Sequence, residues 1–240
     1  MLFSTKGIHR IRFLVFFLVI ALFFSVIYFN IHGGITFDEP IQLKRIESQH
    51  TSFLKFIKGE NIINNEDYYG YIQKLPAYLL SKFVDNVVRY KFYISISHFL
   101  IFFYSSFNLY LLKKISKICN FKNIWLAPFF LILSPVFFGH SVFNIKDLPF
   151  SFLYTLFSFS LLLYFEQVSE KEIKTKIFVI ISCVLAASLK LTILPFFIIQ
   201  ILLVFILKIK KNSKKFNFPY FGVNLILIIF STLFLILIIT

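Results

Sequence analysis

The chain has 240 residues, 58% of them hydrophobic and 20% aromatic, with 36 Phe and a mean hydropathy of +0.82. That excludes an ordinary soluble domain, which is nearer half apolar, and the apolar runs lack the two-residue alternation of barrel strands. The net charge of +14 does not indicate nucleic acid. Of the 25 basic residues, 15 fall in four short segments on one side of the predicted membrane, with no basic-aromatic groove motif beside them.

The composition therefore predicts an all-α polytopic membrane protein, with apolar runs near the ~20 residues that cross a bilayer. Lys6, Arg10 and Arg12 precede a first span at 13–31, which places the amino terminus in the cytoplasm. The run is too long for a signal peptide and has no small-residue cleavage site. Residues 32–91 carry eight basic and seven acidic side chains and read as a large external loop. Within it, Pro40 to Ile57 and Tyr68 to Val88 mix apolar residues with charges. They read as helices in the membrane interface or as a small helical subdomain on the span ends, and the two readings are compatible.

A second span at 92–112 ends in Lys113, Lys114, Lys117 and Lys122, a cytoplasmic loop. The third, at 124–138, is short and holds Pro128 and Pro135. A brief external loop with His140 and Asp147 leads to a fourth span at 148–165. The apolar stretch 177–207 is divided into spans at 177–189 and 191–207. Lys190 is costly at mid-bilayer, Pro195 disfavours helix before it, and one continuous helix would put Lys208, Lys210 and Lys211 outside. A last span at 220–240 makes seven in one domain, 1–240. Cys119 and Cys183 lie at different depths and predict neither a disulfide nor a metal site.

Three polar features fall on the external side. Asp38-Glu39 follows the first span; Ile35 and Phe37 would desolvate Asp38, which suits a general base. The same pair also reads as a cap for a helix starting at Pro40. Asp147, with His140 and Asn144, is a second cluster, and Asp147 also reads as a helix cap. Lys190 either snorkels or neutralises a lipid phosphate. Together they predict a site where a lipid-linked substrate keeps its tail in the bilayer and its headgroup among these residues.

The order of one span, a loop opening with Asp38-Glu39, and the element Phe138-Gly139-His140-Ser141…Asn144-Ile145-Lys146-Asp147-Leu148-Pro149-Phe150 resembles the GT-C superfamily of integral membrane glycosyltransferases. The nearest branch is similar to bacterial protein mannosyltransferases and aminoarabinose transferases. Ala187-Ser188-Leu189-Lys190-Leu191-Thr192 resembles the lysine-bearing turn of that branch. The resemblance implies transfer of a sugar from a polyprenyl-phosphate donor to an unidentified acceptor at the external face of a bacterial inner membrane, with inversion. It implies that Asp38, with Glu39, is catalytic, and that Asp147, His140 and Asn144 position acceptor, donor or a divalent metal. Lys190 and Lys146 would bind the lipid phosphate. Family members usually have more spans, so the chain is expected to lack further carboxy-terminal ones. Two other readings are a transporter or flippase for a lipid-linked or anionic substrate, for which His98 and Lys190 are the intramembrane charges, and an inactive truncated fragment.

Overall fold

The structure, a computed structural model, describes residues 5–32, 39–60, 71–166, 172–187, 189, 197–203 and 206. Among the described residues there is no strand. Eight helices follow in order: α1 (Thr5–His32), α2 (Glu39–Ile57), α3 (Tyr71–Ser81), α4 (Asn86–Ile118), α5 (Leu126–Leu133), α6 (Pro135–Phe143), α7 (Asp147–Glu166) and α8 (Glu172–Ala187). Three of them, α1, α4 and α7, are long and apolar enough to cross a membrane, and α5 with α6 makes a fourth if the bent pair crosses as one. The expectation of seven is therefore not met among the described residues. α8, at 16 residues, is about 24 Å long and falls short of a full crossing by itself. The segment 220–240 and most of 191–207 lie outside the described residues.

The long helices α1, α4 and α7 are apolar nearly all round, so burial rather than polarity distinguishes their faces. On α1 the buried residues Ile11, Val15, Leu22 and Val26 form one stripe at helical spacing, while Phe13, Phe16, Phe17 and Phe24 face outward. α4 is the central column. Its inward stripe carries Ser97 and Ser105, whose hydroxyls donate to the carbonyls of Tyr93 and Ile101 one turn back. Asn108 Nδ2 donates across to Ser151 Oγ of α7 at 3.0 Å, and Ser160 and Ser182 join α7 to α8 at 2.8 Å. Such polar contacts hold helices together where lipid removes the hydrophobic drive.

Two connections are set by local chemistry. α4 ends in a Schellman turn: Asn120 has φ 57°, Asn120 N–H donates to Lys117 O, and Phe121 N–H donates to Ser116 O. The third predicted span is broken, with α5 and α6 meeting at 72°. Pro135 has no N–H to continue the helix, and Ser134 before it is extended, at φ −64° and ψ 120°. Pro128 causes no break because it lies in the first turn of α5, where its missing N–H would have no intrahelical partner. α6 runs on to Phe143, so His140 is helical rather than in a loop.

At 33 residues α4 is about 50 Å long, more than a bilayer core needs. Its first turns pack with α2 and α3 around Ile46, Ala77, Tyr78, Tyr93 and Ile94. Arg89 of α4 pairs with Glu47 of α2 at 3.3 Å. The loop thus contains a helical subdomain on the end of the bundle. Phe83 and Val87, 87% and 94% exposed, leave an apolar edge on it.

Candidate functional site at the α2–α3 end

α1, α2 and α4 meet at one histidine. His98 Nε2 lies 2.7 Å from Glu39 Oε1, and His98 Nδ1 lies 2.8 Å from Asn30 Oδ1. Glu39 and His98 are 1% and 2% exposed. The ring thus ties α2 to α1, with the Glu39 carboxyl at one nitrogen and the Asn30 amide at the other. Asn30 Nδ2 otherwise has no partner among the described residues. The pair fixes the first residue of α2 to the bundle, and one carboxylate oxygen of Glu39 is taken by His98. Asp38, the preceding residue, lies outside the described residues.

A second cluster sits at the α6–α7 junction. Asn144 N–H donates to His140 O and ends α6. Asn144 Oδ1 accepts from the Lys146 and Asp147 amides at 3.0 and 2.9 Å, which starts α7. Its Nδ2 donates to Asp147 Oδ2 at 3.0 Å and to His140 Nδ1. A donor at Nδ1 leaves the His140 proton on Nε2. Asn144, not Asp147, does the capping, and the exposed Asp147 carboxylate is held in place by it. The two clusters border one aromatic side chain. Phe29 lies 5.2 Å from the His98 ring and 5.8 Å from Phe143, which stacks on His140 at 6.4 Å.

The third feature is Lys74 on α3, 7% exposed. It lines a small cleft, about 20 Å³, with Gln73, Tyr93, Ser97, Ile145 and Pro149. Burial, and then the charges of Arg45 and Lys146, hold its ammonium down to about 8. Three cations from α2, α3 and the α6–α7 connection thus share one field beside Asp147. Lys190 lies outside the described residues.

Among the described residues no three His, Cys, Asp or Glu side chains gather to hold a metal ion. The sequence reading did not single out Lys74, and it named His98 only for a carrier. Lys74 left a signal: with Ala77, Tyr78 and Ser81 it occupies the buried face of an amphipathic helix. The partners of His98 left none, since Asn30 and Glu39 lie 68 and 59 positions away. No family model, no curated protein and no solved structure matches the chain.

Proposed function

We propose that the chain is a membrane glycosyltransferase that moves a sugar from a polyprenyl-phosphate donor to an acceptor hydroxyl or amine at the α2–α3 end. The charge asymmetry of the sequence supports placing this end outside. The observation that carries the reading is Lys74, a buried lysine lining a small cleft at the end of an apolar bundle, disfavoured as a cation by its burial and then by the charges of Arg45 and Lys146. A phosphate there would meet the Lys74 ammonium, and a prenyl tail would lie along the exposed Phe side chains of the spans.

In the reaction, Asp38 takes the proton from the acceptor as its oxygen or nitrogen attacks the anomeric carbon. The carbon–oxygen bond to phosphate breaks, and its electron pair leaves with the phosphate oxygen. Attack opposite the leaving group inverts the anomeric centre. Lys74 and Lys146 stabilise the departing phosphate, with Lys190 assigned to the same role by its sequence context. Orientation and charge stabilisation supply most of the rate. Asp147, braced by Asn144 and His140, positions the acceptor. Glu39, buried against His98, acts as a positioning residue for the Asp38 segment.

The reading is tested by binding polyprenyl phosphate to the protein in nanodiscs. Lys74→Gln should weaken binding about ten-fold or more, the worth of one charge-assisted hydrogen bond. Binding to the wild type should fall as pH rises through about 8, where free Lys74 loses its proton. Equal affinity for polyprenyl phosphate and uncharged polyprenol would remove the reading.

A second reading, a carrier for a lipid-linked or anionic substrate, is favoured by the buried Glu39–His98 pair, since ionisable groups within spans mark transport paths. Uptake into vesicles that survives loss of both Asp38 and Asp147 would support it.

A further inference from the structure

The opposite end of the bundle carries a different arrangement. Arg12 of α1 and Lys113 of α4 lie over the same ring, that of Trp125 just before α5, at 6.0 and 4.3 Å. Lys114 lies over Tyr110 at 5.2 Å. Segments 5–13 and 112–126, which carry Arg12, Lys113 and Trp125, contain no Asp or Glu; the acids of this end, Glu166, Glu170 and Glu172, belong to the α7–α8 connection. Two cations on one aromatic ring repel each other, and no carboxylate within their own segments offsets them. The platform is firm: the Schellman turn closes α4, and Asn123 Oδ1 accepts from Trp125 N–H at 3.1 Å.

The surroundings distinguish the kind of anion these cations would take. Phe13, Phe16, Phe121 and Phe130 are all exposed beside these cations, from 60% to 67%. On membrane-spanning helices these side chains face the acyl chains of the bilayer, so the anion at hand beside the cations is a lipid headgroup. A molecule with an anionic head and apolar tails covers both at once. The depth agrees as well. Arg12 and Asn30 are 18 residues apart on α1, about 27 Å, close to the thickness of a bilayer core, so the Trp125 platform sits at a headgroup level.

We infer that Arg12, Lys113 and Trp125 form a binding site for the headgroup of an anionic phospholipid, with its acyl chains against Phe13, Phe16 and Phe130. The site lies at the opposite end of the bundle from the proposed transfer site and does not depend on that reading. Trp125 holds the two cations apart at a fixed spacing, and the lipid phosphate takes a hydrogen bond from each.

The test is native mass spectrometry of the full chain released from nanodiscs of phosphatidylglycerol and phosphatidylcholine. The wild type should retain phosphatidylglycerol at least ten-fold over phosphatidylcholine. R12Q/K113Q should lose that preference. R12K/K113R, which keeps both charges, and K55Q/K58Q, at the other end, should keep it. Equal retention of the two lipids by the wild type would overturn the inference, and that comparison needs no variant. An undiminished preference in R12Q/K113Q, or an equal loss in K55Q/K58Q, would overturn it too.

Discussion

Glu39 and His98 each depend on the other. Both are almost fully buried, and their 2.7 Å contact replaces water for both groups. Removing one partner of such a pair leaves the other buried without compensation, at a cost of about 3–5 kcal/mol. Glu39→Ala and His98→Ala should each destabilise the protein by about that amount in chemical unfolding in detergent. The double mutant should lose less than the sum of the two, because the second change removes a group already stranded. Glu39→Gln should be milder, since its amide offers both an acceptor and a donor to Nε2. Sequence alone placed Glu39 at a helix start, a local property. The buried partner is a tertiary property, set by how α1, α2 and α4 pack. Lys74 lies between these cases: its face was readable from helical spacing, but the nearness of Lys146 was not.

The α6–α7 junction turns on Asn144, which ends one helix and begins the next. Asn144→Ala removes the side-chain acceptor for two amides and the donor to Asp147, and should cost about 1 kcal/mol of stability. It should also release Asp147, so activity should fall further than stability explains. Asn144→Asp keeps the acceptor and should preserve the cap, while setting a second carboxylate against Asp147. Unfolding midpoints and transfer rates on the two variants separate capping from positioning. The two prolines of the third predicted span were visible in the sequence, and helix position decides which one matters. Pro128 falls in a first turn and is absorbed, whereas Pro135 falls where a helix would otherwise continue. Ser134 and Pro135 then restart a helix that carries His140, a residue whose polar neighbours in sequence suggest a loop. The α2–α3 subdomain was legible as two amphipathic segments. Its docking on the first turns of α4 needed the extra length of α4, and the second span had been drawn shorter than that helix.

Across the whole molecule, charge is sorted to two ends of an apolar bundle. One end gathers Lys74, Lys146, Arg45 and Asp147 beside the Glu39–His98 pair; the other gathers Arg12 and Lys113 on Trp125. The exposed Phe side chains between them form a belt suited to lipid. Composition and the lack of a two-residue period pointed to the helical membrane class, and three helices long and apolar enough to cross agree with it. Composition did not establish the number of crossings: helices that bend or stop short keep the same composition as helices that span. In the proposed transfer Asp38 is the base and Lys74 meets the leaving phosphate. The most direct measurement is transfer from labelled polyprenyl-phosphate hexose by the protein in proteoliposomes, with wild type and Asp38→Asn inserted to equal extent. The wild type should give labelled product and Asp38→Asn at least a hundred-fold less, the scale of general-base catalysis. Full transfer by Asp38→Asn, or no transfer by the wild type to any of a panel of acceptors, would contradict the proposed transfer.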